Sequence, residues 1–403
     1  MIKAASIAYA IFMALITALL CYGFVLLFSV NTQIEDHYQL RSELIRQRFS
    51  AQALAKAHFN ELSNTPLEFS IDDTSGHEVL LSKQPWGFLS VVNAQIKNAQ
   101  EAVSQHYLMG WSKAKNDPIL YVRNNDEPLK ISGNTRLEGT IFTSTGKIKK
   151  VTVNGQTSQK TTHLGSHRIS QKVLPTYDLP TTIVSANWQE EFIAALENDL
   201  LVRGFDESTV VFEIGNTLEN VTLKGNIVVR SNDTIRIKKS AILEDIIVMA
   251  PKVIFEKDFK GSLQAIASSQ IETGKGVRLE YPSVLVVQGT SGVLNKVEIG
   301  EQSLISGAVI MTGQGLAYER MQEMVVHKDA TVKGLLYCDG VLELYGNAEG
   351  TVFSSALLYK TTSTRYSNLL KDVTLKELDN PGLFFGIELP ELGTGAPLIV
   401  KKV

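Results

Sequence analysis

Four lysines fall at one place in successive repeats of the chain: Lys239, Lys257, Lys275 and Lys328, with Glu301 at the equivalent position between the last two. Aligned ammonium groups repel one another, so such a column suits a basic stripe that docks an anionic polysaccharide, a lipid head group or an acidic partner. The competing reading is a solvated turn, in which lysine keeps a β-surface from associating. Carboxylates were sought for general acid–base chemistry in the same columns. Asp258 and Asp329 share one, but three levels at about 4.8 Å each hold them too far apart for a glycosidase pair. Glu244 and Glu280 stand two levels apart, and nothing else in the pattern converges on them. Asp245 has Leu263 and Tyr281 as neighbours in its column. His327 has no metal-ligand spacing around it, Cys338 falls in a small or apolar column as a buried thiol, and Cys21 lies inside an apolar segment. No phosphate-binding glycine loop and no nucleophile elbow occur. The expectation is a protein that is not an enzyme and has no cofactor or metal.

The columns come from a repeat. Segments beginning at Ile235, Val253, Ile271, Val297, Met324 and Leu342 align at spacings of 18, 18, 26, 27 and 18 residues. A fixed short period with alternating apolar and polar residues marks a solenoid of strands. One inward column reads Ile235, Val253, Ile271, Val297, Met324, Leu342, and two places on it reads Ile237, Phe255, Thr273, Ile299, Val326, Leu344. Columns six and eight places on end at Ala348 and Gly350, and the Cys338 column reads Met249, Ala267, Leu285, Met311, Cys338, Ala356. The longer spacings place loops around Gln288–Leu294 and Gly313–Gln322. An earlier coil fits the template through Leu129, Ile131, Thr135, Leu137, Gly139 and Ile141, and Val210–Val229 reads as one or two coils more, for about eight in all. Hexapeptide helices want small residues where Lys239, Asp245 and Lys257 stand. The reading is therefore a mainly β chain folded as a parallel, right-handed β-helix.

The pattern divides the chain into a transmembrane anchor at 1–32 and a helical stalk with a small α/β region at 33–125. The β-helix follows at 126–360, with an inserted excursion at about 150–210, and then a C-terminal cap and tail at 361–403. Ala4–Ile34 carries no charge, more than the roughly 20 residues needed to span a bilayer. Within it Ser6, Ala10, Ala14 and Ala18 recur every fourth residue, the spacing at which membrane helices approach closely. Ile34, Tyr38, Ile45 and Phe49 continue as an apolar stripe. Asn187, Glu190 and Gly204 frame a helix with Trp188, Phe192 and Leu196 on one face. A second short helix is expected over Tyr366–Leu378, with Leu369, Leu370 and Val373 inward, closing the open end. The formal net charge of −3 gives no general drive toward nucleic acid, and two cysteines exclude a disulfide framework.

Val326-His-Lys-Asp-Ala-Thr-Val-Lys-Gly334, Leu342-Glu-Leu-Tyr-Gly-Asn-Ala-Glu-Gly350 and Ile299-Gly-Glu-Gln-Ser-Leu-Ile-Ser-Gly307 resemble the repeats of bactofilins. The resemblance covers about residues 210–355 and implies a polymer-forming bacterial scaffold. The membrane helix running into an amphipathic stalk resembles the N-terminus of pilins and pseudopilins. The chain lacks the Gly and Glu of a prepilin processing site. The layout of anchor, Trp86-Gly-Phe88 and Leu120–Leu129 resembles bacterial membrane-anchored β-helix proteins of no established activity. The functional expectation is a structural subunit of the bacterial envelope, single-pass in the inner membrane with its bulk in the periplasm. Its partners would be other envelope proteins or further copies of itself. The alternatives are a module for an anionic glycan or lipid and, third, a polysaccharide-active enzyme.

Overall fold

The structure is a computed structural model. It describes the whole chain except residues 1–3, 73–76, 99–100, 114–116, 154, 156–161, 177–182, 185–187, 192–198, 290–293, 314–321 and 387–394. Two compact units emerge, one of residues 1–82 and 93–105, the other of 83–92 and 106–403.

The first unit is built on α1 (Ala4–Arg46), a single helix through the uncharged segment, followed at once by α2 (Arg48–Ala57). It contains the one described helix long and apolar enough to cross a membrane. Ile34, Tyr38, Ile45 and Phe49 stay exposed, while Leu44, Ala51 and Ala55 are fully buried. Strand Leu67–Asp72 pairs antiparallel with the start of strand His77–Trp86.

The second unit is mainly parallel strands. The long strands Ile242–Phe255, Lys260–Thr273, Thr331–Leu344 and Asn347–Lys360 each contribute to several ladders, and each pairs in parallel with the turn of chain before it. Three inward columns run through Leu243, Val248 and Val253. The expected column from Ile235 to Leu342 holds at every step, as does the one from Ile237 to Leu344. These side chains form one continuous apolar core. No single level buries enough apolar surface to be stable alone, so stacking is what holds each level in place.

The order of levels is not the order of the chain. Strand Asn347–Lys360 pairs onward with Leu120–Val122 and with Thr374–Lys376, and the latter pairs with Arg136–Glu138. Leu137 and Ile141 of the coil expected at Leu129–Ile141 thus fall in the ladders read for them, but they stack beyond the last strands of the repeat, while Leu129–Ser132 pairs in a separate three-stranded sheet. The Leu243 column runs Leu201, Leu223, Leu243, Gly261, Leu279, Ile305, Val332, Ala348, Leu375, Leu137, His163. That is eleven levels among the described residues, where about eight were expected. Described residues between the strands His167–Ile169 and Trp188–Glu191 pack on the ladder. Leu174 is buried, and Tyr337 Oη donates to Pro175 O at 2.9 Å. Gly87 N donates to Ile183 O at 2.6 Å.

The outward side of the Val248 ladder is also buried. Ile247, Val284, Ile310, Leu335 and Phe353 pack with Trp86, Leu89, Leu174 and Phe385 in a second core. Burial on both sides accounts for the unbroken apolar runs at 246–248, 284–287 and 308–311, where a half-exposed strand would alternate. Gln264 closes this layer, its Oε1 accepting from Phe88 N at 2.6 Å and its Nε2 donating to Trp86 O at 2.9 Å.

Several expectations are corrected. Trp188–Glu191 is a strand on Thr209–Phe212, and Leu200–Arg203 pairs with Thr222–Gly225, so the helix proposed from Asn187 to Gly204 does not begin as one. Asn187, Phe192 and Leu196 lie outside the described residues. A waiting parallel edge outweighs local helix preference. The helix expected over Tyr366–Leu378 is three short strands, with Asn368 and Asp372 at φ of +51° and +56°, which a helix does not allow. Leu369, Leu370 and Val373 are buried, and Leu370 and Val373 join the main core. Gly350 stacks on Gly334, and Ala348 follows Val332, because the corner after Leu344 is two residues shorter. Cys338 accordingly lies between Met311 and Ser354. Most of the two expected loops falls outside the described residues.

Candidate functional site

The Val253 ladder turns its outward side to solvent, and there the alternation places charge. In Asn295–Ile299, Val297 and Ile299 face the core while Lys296 and Glu298 face out. The next levels present Glu323 and Val325, then Val341 and Glu343. After Leu344 the chain turns through Tyr345. Strand Asn347–Lys360 ends in a hairpin that pairs Tyr359 with Tyr366. Tyr359, Lys360 and Lys371 thereby come to stand over the same surface. The result is a cleft of about 660 Å³ walled by Lys296, Glu298, Glu323, His327, Glu343, Tyr345, Tyr359 and Lys360.

Its charges are interlocked. Glu298 pairs with Lys296, and its Oε1 lies 2.7 Å from His327 Nε2. Lys360 pairs with both Glu323 and Glu343. Tyr345 Oη donates to Glu343 Oε2 at 2.8 Å and accepts from Lys360 N at 3.2 Å. The Tyr345 and Tyr359 rings lie 5.4 Å apart at 54°, and Lys371 Nζ stands 5.9 Å from the Tyr359 ring centre. Glu343 is 4% exposed. Burial, and then its hydrogen bond with Glu323, holds its carboxyl above the ordinary value. Burial pushes Glu323 the same way, but its bonds with Glu343 and Lys360 outweigh that and hold it low. Burial, with the bond to Glu343, pushes Tyr345 up to about 12. Burial and the shared hydrogen bond thus push two neighbouring carboxyls in opposite directions, so Glu343 holds a proton more tightly than Glu323 does.

Glu343 also makes a stability prediction. The folded chain holds its proton more tightly than the unfolded chain, so the unfolded state binds fewer protons and stability falls as pH rises past the ordinary carboxyl value of 4.5. Glu343→Gln has no proton to lose. Its melting temperature relative to wild type should rise between pH 4 and pH 8, by about 2 °C in all. Differential scanning calorimetry across that range checks it, and a difference that shrinks with pH would make Glu343 a stabilising anion instead.

The residues singled out from sequence are dispersed. Lys239, Lys257, Lys275 and Lys328 are all exposed at a turn. The residues after Lys257, Lys275, Glu301 and Lys328, namely Asp258, Gly276, Gln302 and Asp329, repeat a left-handed φ of +59° to +73°. The turns stack through Asp258 N to Lys275 O at 3.0 Å and Gly276 N to Glu301 O at 2.9 Å. Lys275 Nζ is 3.3 Å from Glu301 and Lys257 Nζ 3.8 Å from Asp258, so carboxylates accompany the stripe. Lys328 and Asp329 reach the rim of the cleft. Glu244 pairs with Lys224 and Lys401, and Asp245, raised by burial, lies 2.7 Å from Lys401 Nζ. His327 has the acid partner, Glu298, that its sequence neighbourhood did not reveal. Cys338 is fully buried, and burial pushes its thiol up. Ser6, Ala10, Ala14 and Ala18 share one exposed run of α1. Among the described residues no group of three or more His, Cys, Asp or Glu is arranged to hold a metal ion.

Sequence reasoning missed Glu298, Glu323, Glu343, Tyr345, Tyr359 and Lys360. One signal was within reach. The column one place after the Ile235 column reads Arg236, Ile254, Glu272, Glu298, Val325, Glu343, and it already places two of the carboxylates two levels apart. Comparison with known proteins found no matching family model, no matching curated protein and no matching solved structure.

Proposed function

We propose that the chain is a membrane-tethered, right-handed β-helix that serves as a structural scaffold in a bacterial envelope. α1 would cross the inner membrane once, pairing with a neighbouring helix through Ser6, Ala10, Ala14 and Ala18, and the second unit would lie in the periplasm. The observation that carries this reading is the state of the two extreme levels. At one, Leu164 and Ile169 are 64% and 65% exposed, and at the other Leu200 and Val202 are 51% and 63% exposed. Apolar strand edges at both ends of one parallel ladder favour further strands, and ends that differ from one another associate head to tail into open assemblies. This is the behaviour that the bactofilin resemblance implies.

The test is electron microscopy and sedimentation of the purified protein in detergent. Filaments or a ladder of oligomers are expected, and Ile169→Lys with Val202→Lys should reduce them to monomer. A wild-type protein that stays monomeric across concentration would overturn the assembly reading.

A further inference from the structure

We infer that the cleft over the Val253 ladder is a binding site for a neutral oligosaccharide. Its volume, about 660 Å³, lies within the range of small-molecule sites. A hexose needs two things of a protein surface: a flat apolar patch for its C–H face, and hydrogen-bond donors and acceptors around its hydroxyl rim. Tyr359 supplies the first with its partly exposed ring, and the Tyr345 ring, 5.4 Å away and tilted by 54°, forms a second wall beside it. Their hydroxyl-bearing rims and the groups beside them supply the second. Glu323 and Glu298 accept, Lys360 donates, and His327 offers a ring nitrogen.

Charge decides against other ligands. The lining carries six carboxylates against four lysines, and the central ones are already paired with each other. A uronate or phosphate would have to displace a carboxylate from its lysine and would meet further carboxylates behind it. A neutral polyol bonds to the same pairs without separating them. Tyr345 Oη accepts from the backbone N of Lys360, the residue after Tyr359, and Tyr359 is held by its pairing with Tyr366, so both rings are tied in place before a ligand arrives and less ordering cost falls on binding.

This inference does not rest on end-to-end assembly, and its test leaves that reading untouched. Full-length protein in nanodiscs would be titrated calorimetrically with cellohexaose, chitohexaose and maltohexaose, with hexagalacturonate as the charged comparator. At least one neutral hexamer should bind with a dissociation constant between about 10 μM and 1 mM. Tyr359→Ala should weaken it at least tenfold, and Glu298→Gln several-fold. Tyr359→Phe, which keeps the ring, should bind within a factor of about three of wild type, separating the loss of the platform from a loss of fold. The inference is overturned by absence of heat and of saturation-transfer signals with all three neutral hexamers. Binding that ignores Tyr359→Ala, or tighter binding of hexagalacturonate, would overturn it equally.

Discussion

Gly350→Val should lower the melting temperature by roughly 10 °C or more, while Gly382→Ala leaves it unchanged. Gly350 has φ +130°, and a Cβ there would sit 2.0 Å from the carbonyl oxygen of Gly334 in the level before it. Gly334 stands 2.1 Å from Gly307 O by the same measure, at φ +119°, and Gly307 2.0 Å from Ser283 O, at φ +138°. These glycines stack where the chain leaves the Leu243 ladder for the Val248 ladder. The obstacle is backbone and cannot rotate away as a side chain would. Relief requires the levels to part, which breaks the inter-level hydrogen bonds that define the fold. The backbone conformation alone costs a side-chain-bearing residue about 1–3 kcal/mol, and the lost pairing adds to it, for more than about 4 kcal/mol in total. At about 2–4 °C per kcal/mol for a unit of this size, the melting temperature should fall by roughly 10 °C or more. Gly382 has open space around its Cβ position and no left-handed φ, so its alanine variant controls for glycine loss as such. A Gly350→Val protein that melts with wild type would mean that the levels do not approach as closely as this corner requires.

That corner also marks how far the sequence could be read. The two columns through Ile235 and Ile237 were legible to their last residue, because each level repeats the same alternation and packing demands the same side. The register failed after Leu344, where the turn is short and neither Tyr345 nor Gly346 announces it. Tyr366–Leu378 was misread because Leu369, Leu370 and Val373 suit the inward face of a helix or of a bent strand equally well. Only the left-handed Asn368 and Asp372 separate the two, and Asn and Asp tolerate that conformation without revealing it. The stacking of Leu137 on Leu375 was beyond local pattern altogether, since it joins residues more than 200 positions apart. The cleft suffered from both faults. Glu298 and Glu343 were in a column that could be drawn, whereas Tyr359 and Lys360 reach them only through a hairpin past the break in the repeat.

The closure of the ladder by its own earlier coil carries the second strong expectation. Leu375 is 1% exposed and lies between Ala348 and Leu137. Leu375→Asp sets a carboxylate in the apolar core with no described partner for it there. An unpaired buried charge costs several kcal/mol. The damage should be confined to one side, however, because in a stacked array each level contacts only its neighbours. Levels from Leu223 to Val332 keep their own interfaces, whereas the coils at 119–143 and 148–169 are held to the rest largely through the altered level. Limited proteolysis followed by mass spectrometry should therefore show new cleavage within 119–170 and 361–376, with residues 209–357 as protected as in wild type. Phe255→Ala makes the contrast: Phe255 is fully buried mid-ladder beside Phe259, their rings 5.5 Å apart. Its truncation, at about 3–5 kcal/mol, should loosen the middle of the array instead. If Leu375→Asp instead opened every level at once, the array would be folding as one cooperative block and not level by level.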